Sequence, residues 1–587
     1  MTSASLSPSA DRQAALDLLA WLTVERLGYG LALLLAAGIR LTALGWQPLA
    51  PEEARQAMAA LDWVRGQTSL PPAGSSPLLL SLHYFTFLFF AATEAWARLW
   101  PALAGALAVL LPYGLRRELG RGAALAASFL LALSGVLAFW SRSATGESFA
   151  FAAGLALFVS LAGLRRTGGR PWALATGAGL AALLASAPVS YSLLLALAVA
   201  LIVAGRDWLQ TVAQLSRSRW AEAGLAFGLV VLLGSTAFLV RPGGLAALAD
   251  LPAAWLRQWT QGGGYPLGVL VLRFVLVEPL LLALGLLGLA WGVRKRHPLT
   301  PLLGLWLAVG AALLLRPGRT PADLGVLSLP LALLGGQAVA SFARRWREVE
   351  ARGQTTPLLA TLAVGTVILV FTAIWLADYA ASTRFPQDNV FLWFAAMGVG
   401  LLLALVAFYV LWWDAYGAAT AAGLLLVAAL TVLSVRATWE ATHNTDGLRW
   451  GSLRTTVGAP DGPNLTAFLA QLAAQDQPYG TDLFMLEVAL VVPPGTEPDP
   501  LLRWYLRDAQ VRIVPGAGSN TAHRLIVALA GEALPLGEGF AGRSFRLTQS
   551  WSPAQLAGHA RWRWLLFGHY GAPAAEQRAV VWVRATP

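Results

Sequence analysis

Long apolar runs follow one another along most of the chain, and short polar segments separate them. A run of about 17–24 apolar residues is long enough for a helix that crosses a bilayer. The pattern predicts about thirteen such helices. We place them at about residues 26–45, 97–115, 122–140, 149–164, 171–187, 189–205, 221–240, 267–291, 299–315, 324–342, 357–377, 390–413 and 417–435. Polar residues seldom interrupt these runs, whereas a secondary transporter requires paired broken helices and polar groups at mid-membrane.

Clusters of basic residues indicate how these helices are oriented. They follow every second predicted span, at residues 116–121, 165–170, 206–219, 294–296 and 344–347. Basic loops stay on the cytoplasmic side, so residues 1–25 are predicted to be a cytoplasmic tail with an interfacial helix at 11–24. The alternation holds only if the apolar stretch 77–92 does not cross. We therefore predict an interfacial or re-entrant helix there, within a first outer loop at 46–96.

The C-terminal part of the chain, from residue 436, is richer in polar residues and has shorter apolar runs. Its patterns predict helices at 463–475, 501–508 and 553–567, and strands at 481–492, 511–514, 524–530 and 579–584. Residues 436–587 are therefore predicted to form a soluble α/β domain of ordinary size. The span count places this domain outside the cell, on the same face as the first outer loop.

Composition agrees with a multi-pass protein of the cytoplasmic (inner) membrane. The chain is 57% hydrophobic and only 12% charged, while soluble domains carry about 25% charged residues. The net charge of +11 comes from arginines in the short loops, a topogenic pattern rather than a nucleic-acid-binding one. The chain has no cysteine, which excludes disulfides, thiolate catalysis and cysteine-bound metal. Composition does not indicate an oligomeric state.

An acidic pair, Glu52 and Glu53, follows the first predicted span. Charges cost several kcal/mol at bilayer depth, so acids at a membrane rim are candidates for a functional site. Sugar transfer to a hydroxyl needs a carboxylate that accepts the proton, and Glu52, assisted by Glu53, is our candidate base. Pro51 at a first helical position with two acids behind it also matches an ordinary helix N-terminus. Both interpretations remain open at this stage.

The sequence Glu52-Glu53-Ala54-Arg55 resembles the Asp-Glu-x-Arg of the GT-C membrane glycosyltransferases. Within them, the chain is most similar to the flippase-activity-associated and dolichyl-phosphate-mannose-protein mannosyltransferase-like family. Further stretches match in order, at residues 97–103, 139–142, 502–508, 562–567 and 581–584. The chain departs from the family in two places: Glu52 replaces the usual Asp, and the basic residue before Pro77 is missing.

The resemblance implies a GT-C-like transmembrane domain at 26–435 and a polyprenyl-phosphate sugar as donor. The acceptor would be an extracytoplasmic hydroxyl of a protein, lipid or glycan, attacked with inversion at the anomeric carbon. The alternative is a non-catalytic GT-C-like protein that assists lipid-linked sugar export or serves as a subunit of a membrane complex. The longer side chain of Glu52 favours this alternative, because a displacement of about 1 Å can cost 100-fold in rate.

Three arginines, Arg55, Arg98 and Arg142, are candidate ligands of the donor phosphate, because guanidinium binds phosphate bidentately. Snorkelling or ion pairing at the membrane rim, for example of Arg142 with Glu147, explains them equally well. Carboxylates and a phosphate could also hold Mg²⁺ or Mn²⁺, although no ligand cluster with metal-site spacing is present. Possible substrate contacts are His83, Tyr84, Glu147, Trp255, Trp259 and Tyr265.

The predicted topology can be tested because the natural chain has no cysteine. Single cysteines introduced at Ser69 and Asn520 should both react with a membrane-impermeant thiol reagent on intact cells, since both positions are predicted to be outside. The cysteine-free parent is the background control. Labelling at only one of the two positions would contradict the topology.

Overall fold

The structure, a computed structural model, describes residues 23–67, 70–381, 390–443, 453–454, 456–476, 483–515, 523–531, 536, 539–551, 564 and 575–584. The helices that precede the outer domain are α1 (Val24–Leu41), α2 (Pro51–Val64), α3 (Pro77–Phe89), α4 (Glu94–Ala108), α5 (Arg121–Leu133), α6 (Gly135–Ser141), α7 (Glu147–Thr167), α8 (Arg170–Leu184), α9 (Val189–Ala204), α10 (Arg206–Ala213), α11 (Arg217–Ser235), α12 (Gly244–Thr260), α13 (Leu267–Val277), α14 (Pro279–Arg294), α15 (Thr300–Leu313), α16 (Asp323–Ala351), α17 (Thr355–Ala381), α18 (Val390–Trp412) and α19 (Ala415–His443). The predicted interfacial helix at 11–24 lies almost wholly outside the described residues.

Fewer long spans are present than the apolar runs predict. Among the described residues, six helices are long and apolar enough to cross a membrane, or up to nine if each bent pair is one span. The count of about thirteen is therefore not confirmed. The span predicted at 267–291 is bent rather than straight, because α13 and α14 meet at 92°. Between the spans predicted at 221–240 and 267–291 the structure has a further helix, α12.

The break between α5 and α6 lies against the break between α13 and α14. The side chains of Glu278 and Arg40 form hydrogen bonds with backbone groups at the first of these breaks. The carboxylate of Glu278, between α13 and α14, accepts hydrogen bonds from the Ser134 hydroxyl and from the N–H of Val136 at 2.9 Å. A negative charge is favourable there, because α6 begins at this point. Arg40 of α1 donates to two carbonyls at the end of α5, at 2.9 and 3.0 Å. Both charges are thus used to close helix ends.

The outer loop contains two short helices that begin at prolines. Pro51 starts α2 and Pro77 starts α3, each at a first helical position, where a missing N–H costs nothing. The hydroxyl of Ser76 caps α3 by accepting from the N–H of Leu79 at 3.3 Å. With 13 residues, α3 is shorter than the roughly 20 that a crossing helix needs.

Among the described residues, the C-terminal domain, which we call the outer domain after its predicted side of the membrane, is a six-stranded sheet with two helices, α20 (Asp461–Asp476) and α21 (Pro500–Tyr505). The strands are β1 (Thr456–Gly458), β2 (Glu487–Val492), β3 (Gln510–Pro515), β4 (Leu525–Leu529), β5 (Phe540–Ser550) and β6 (Ala575–Arg584). The order is β1-β5-β6-β4-β2-β3, with β2 parallel to β3 and β4 and the other pairs antiparallel. Strands β1 and β5 are not predicted from the sequence, because Gly, Ser and Gln in β5 are poor strand formers. The helix predicted at 553–567 lies, except for Trp564, outside the described residues.

The outer loop and the outer domain share one hydrophobic core. Ala54 and Trp63 of α2 and Phe87 of α3 belong to the same buried cluster as Leu490 of β2 and Trp504 of α21. The indole of Trp504 also donates to Glu94, at the start of α4, at 2.9 Å. The outer domain is therefore fixed onto the loop that carries the acidic pair.

Candidate active site

Glu53 is the buried centre of the acidic loop. It is 1% exposed, and its carboxylate accepts hydrogen bonds from the N–H groups of Ala50 at 2.8 Å and Ala144 at 2.7 Å. Arg98 of α4 donates to both oxygens, at 3.1 and 2.8 Å. Arg454, from the segment before β1, lies 3.2 Å away. One carboxylate thus joins α2, α4, the segment after α6 and the start of the outer domain.

The environment of Glu53 keeps this carboxylate ionised. Burial alone would raise its pKa, but the charges of Arg98 and Arg454 and the hydrogen bonds outweigh burial and lower the pKa from 4.5 to about 2. All of its acceptor capacity is directed at protein donors. Glu53 is therefore suited to organising the loop and poorly suited to accepting a substrate proton.

Arg98 has no N–H donor left for a phosphate. It is 3% exposed, and its remaining donors bind the carbonyls of Leu44, Gln47 and Pro48 at 2.6–3.0 Å. Arginine has five N–H donors, and these contacts together with Glu53 use them all. Arg98 therefore shapes the connection from α1 to α2.

Arg142 is also occupied by the protein. Its guanidinium donates to the carbonyl of Thr442 at 2.9 Å, near the end of α19, and to carbonyls of residues 39–43 at the end of α1. The last carbonyls of a helix have no partner within the helix and attract positive charge. Arg142 thus closes the ends of two helices, and it does not pair with Glu147.

Glu52 presents the free carboxylate that Glu53 lacks. It is exposed at the first turn of α2, and among the described residues no group forms a hydrogen bond or an ion pair with it. Its charge nevertheless acts on Arg454 and on Glu147, so Glu52 lies within electrostatic range of both. An ionised carboxylate at a helix N-terminus is stabilised by the helix dipole. Glu52 is therefore available as a base.

Glu147 is the first residue of α7, and the charges of Arg454 and Glu52 act on it. One of its carboxylate oxygens is buried and has no hydrogen-bond partner among the described residues. The start of α7 approaches closely because residue 146 is glycine: a Cβ there would lie 1.9 Å from the carbonyl oxygen of Ser186. Glu147 thus places a second carboxylate near Glu52.

Two arginines that the sequence analysis did not select lie at this site. Arg454 is 12% exposed in its side chain, and its guanidinium lies over the rings of Phe139 and Trp140, 5.4 and 5.5 Å from their centroids. Arg273 of α13 is 2% exposed and donates to the carbonyl of Leu453 at 2.9 Å. Its buried Nε has no hydrogen-bond partner among the described residues. A charge within an apolar run is a signal that could have identified Arg273, whereas Arg454 lies in an ordinary polar segment.

Tyr265 lies near the same arginines. Its side chain lies within electrostatic range of both Arg273 and Arg454. Two hydrogen bonds with Arg319 fix the backbone of Tyr265. The N–H of Tyr265 donates to the carbonyl of Arg319 at 3.2 Å, and the side-chain Nε of Arg319 donates to the carbonyl of Tyr265 at 2.6 Å. Of the aromatic residues predicted as substrate contacts, Tyr265 is therefore placed at the candidate site.

The remaining predicted contacts are engaged elsewhere. His83 is fully buried, and its Nε2 lies 2.7 Å from the carbonyl oxygen of Ala97. The ring of Tyr84 lies 5.5 Å from the guanidinium of Arg241. Trp255 donates to Ser192 at 2.9 Å, whereas Trp259 is 41% exposed and packs edge-on against Trp255. These positions indicate roles in packing for His83, Tyr84 and Trp255.

The donor set at the site does not fit a resident metal ion. In the part of the chain that the structure describes, no group of three or more His, Asp or Glu side chains could hold one. The oxygens of Glu53 are already occupied by protein donors and are not free to bind an ion. We therefore assign no chemistry to Mg²⁺ or Mn²⁺.

Arg55 lies one turn along α2 from Glu52 and faces a cleft rather than the Glu53 cluster. The cleft, of about 660 Å³, separates α2 from the outer domain. Farther along this face, Asp62 accepts two hydrogen bonds from Arg503, both at 2.9 Å. Arg55 itself is exposed and forms no hydrogen bond or ion pair with another described residue.

No protein-family model matches the chain, and no curated protein matches it. Solved structures do resemble it. ArnT from Cupriavidus metallidurans bound to undecaprenyl phosphate aligns at 18% identity and a TM-score of 0.50, over 85% of this chain and 92% of ArnT. The Archaeoglobus fulgidus oligosaccharyltransferase aligns at 14% identity and a TM-score of 0.45, over 84% of this chain and 64% of that one. Arabinosyltransferase EmbB from Mycobacterium smegmatis aligns at 15% identity and a TM-score of 0.41, over 94% of this chain and 55% of EmbB.

The likeness to ArnT shows that the two chains share a fold. Together with the long apolar helices, it shows a multi-pass integral membrane protein. The narrower resemblance to the flippase-associated and mannosyltransferase-like family is not confirmed by these structures.

The role of Glu53 can be tested through stability and its pH dependence. Because the pKa of Glu53 is lowered to about 2 from 4.5, its stabilisation is complete above the unfolded value and is lost as the pH falls towards 2. Glu53→Gln should cost about 3 kcal/mol at neutral pH, since a shift of one unit is worth about 1.4 kcal/mol. Apparent melting temperatures of purified protein between pH 2 and 7 measure both effects. Exposed Glu52→Gln is the matched control and should melt like the wild type, whereas a Glu53→Gln variant with unchanged melting would refute the role.

Proposed function

We propose that this protein, which has the GT-C fold, is a membrane glycosyltransferase that moves a sugar from a polyprenyl-phosphate donor to a hydroxyl acceptor outside the cytoplasm. The observation that carries the proposal is the contrast between the two acids. Glu53 is saturated by protein donors, whereas Glu52, next to it, is exposed and lies within electrostatic range of the half-buried Arg454. In this arrangement Glu53 would hold the loop in place, and Glu52, the adjacent residue, would act as the base.

Glu52 would accept the proton of the acceptor hydroxyl as its oxygen attacks the anomeric carbon. The new glycosidic bond forms while the bond from that carbon to the phosphate oxygen breaks, and the polyprenyl phosphate leaves with the electron pair. A single displacement of this kind inverts the configuration. The negative charge that develops on the leaving phosphate needs positive groups fixed in advance.

Arg273 and Arg454 are the positive groups that we assign to the leaving phosphate. They are adjacent, because Arg273 donates to the carbonyl of Leu453. The Nε of Arg273 is buried and has no hydrogen-bond partner among the described residues, so this arginine keeps an unused donor. Arg98 and Arg142 are unsuited to this role because protein acceptors occupy them. The ArnT structure of similar fold contains undecaprenyl phosphate, which agrees with a polyprenyl-phosphate donor.

The non-catalytic alternative rests on Glu52 in place of Asp. A protein that only assists sugar export, or that serves as a subunit of a complex, does not require an exposed carboxylate within electrostatic range of Arg454. A transporter is supported by the broken helices, but the charges at the meeting breaks, Glu278 and Arg40, already cap helix ends. Catalysis is therefore the interpretation that gives a role to the exposed carboxylate of Glu52 and to the unused donor of Arg273.

The Glu52→Gln variant distinguishes a catalytic glycosyltransferase from a non-catalytic protein that assists sugar export. The amide keeps the shape of the side chain but cannot accept a proton, so turnover should fall about 100- to 10,000-fold with donor binding largely kept. Glu52→Asp should retain much of the activity, because it restores the acid that resembling glycosyltransferases carry there. The measurement is sugar transfer in membranes that contain each variant. Transfer by Glu52→Gln at the wild-type rate would remove the catalytic assignment and favour the assistant.

The Arg273→Ala variant tests the phosphate site. Loss of a charged hydrogen bond of about 1.5–3 kcal/mol should weaken undecaprenyl phosphate binding about tenfold or more. Arg273→Lys should restore only part, since a lysine cannot bind in the bidentate manner. The control is Arg294→Ala, at the exposed end of α14, which should bind like the wild type. Equal lipid binding by Arg273→Ala and the control would exclude Arg273 as a ligand.

A further inference from the structure

The cleft between α2 and the outer domain has the position expected of a binding site. One wall is the face of α2 that carries Arg55, Ala59 and Asp62. The opposite wall includes Leu490–Val492 of β2 and Leu529 of β4, at the carboxyl ends of two parallel strands. Ligands of open α/β sheets bind in the crevice outside the carboxyl ends of the strands. A volume of about 660 Å³ lies within the range of ligand pockets.

The cleft leads towards the proposed base. Residues three or four apart on a helix lie on the same face, so Glu52, Arg55, Ala59 and Asp62 form one line along α2. The last three line the cleft, and Glu52 is exposed at the start of the line. A ligand that fills the cleft and extends past Arg55 therefore has its end beside Glu52.

The lining provides both hydrogen-bond donors and acceptors. Glu497, Asp499 and Gln577 bring carboxylate and amide groups to the cleft. Sugar hydroxyls donate and accept hydrogen bonds alike, so such a mixed lining suits them. The Asp62–Arg503 pair joins the two walls, whereas the exposed guanidinium of Arg55 has no partner among the described residues. That guanidinium is the group available to an anion.

We propose that this cleft binds the acceptor and that the acceptor is an anionic glycan. Arg55 would hold a carboxylate or phosphate of the glycan, which places a neighbouring hydroxyl beside Glu52. A lipid acceptor fits poorly because charged side chains of both signs line the cleft. An extended peptide fits poorly because β2 is paired on both sides, with β3 and β4, and offers no free edge for strand addition. The inference rests on the proposed glycosyltransferase function.

Titration calorimetry on the full-length protein in lipid nanodiscs tests the proposal. The probes are a hexuronic acid tetrasaccharide, its carboxyl-reduced neutral form, a glycerol phosphate oligomer and a peptide that contains Ser and Asp. The wild type should bind the uronate or the glycerol phosphate oligomer at least about tenfold more tightly than the neutral glycan, the effect of one charged hydrogen bond. Preference between the two anions identifies whether carboxylate or phosphate is the natural group.

Variants at Arg55 link any binding to the cleft. Arg55→Ala should remove the preference for the anion, and Arg55→Lys should restore part of it. The matched control is Arg512→Ala, an exposed arginine of β3, which should leave binding unchanged. Equal binding of the anionic and neutral glycans, an unchanged affinity in Arg55→Ala, or binding of the peptide alone would each overturn the proposal.

The titrations contain no donor, and undecaprenyl phosphate binding is measured separately on the same samples. Lipid binding with no glycan binding overturns this inference and leaves the proposed function standing. Glycan binding without lipid binding or sugar transfer supports the cleft as a glycan site and contradicts the proposed function instead.

Discussion

The architecture of the site depends on one buried carboxylate, that of Glu53. A charge removed from water is tolerated only where donors and opposite charges surround it. Here the donors come from the start of α2, from Arg98 on α4, from Ala144 and from Arg454. These groups are far apart in the chain, so the ion pair forms only when all four segments are in place. Its formation fixes α2, and α2 in turn presents Glu52 and Arg55 to solvent.

The arginines of the outer rim divide into two kinds by what their donors contact. Arg98 and Arg142 bind backbone carbonyls and a carboxylate, so they close loops and helix ends. Arg273 is almost completely buried but retains an Nε without a partner among the described residues. Burying a donor without a partner costs free energy, which a ligand that supplies the missing acceptor recovers. This unused donor is the reason that we propose Arg273, rather than Arg98 or Arg142, as a phosphate ligand.

Much of the organisation follows from the sequence alone, for identifiable reasons. Apolar runs define the membrane helices, and Pro51 and Pro77 define the starts of α2 and α3 because proline fits a first helical position. The division of roles within the acidic pair does not follow from the sequence. Adjacent helix residues point about 100° apart, and which of Glu52 and Glu53 faces inward depends on Ala144 and Arg98. The bend between α13 and α14 was missed because length and hydropathy carry no information about direction.

The common core of the outer loop and the outer domain has a consequence for catalysis. Arg454, which comes shortly before β1, lies 3.2 Å from Glu53, and α21 packs against α2 and α3 through Trp504. Glu52, which we propose as the base, Arg454, which we propose as a phosphate ligand, and both walls of the cleft are therefore assembled by the same packing. A separately folded outer domain would leave Glu53 without Arg454 and the cleft without its second wall. The outer domain is thus a component of the site itself, and its docking determines whether a site exists.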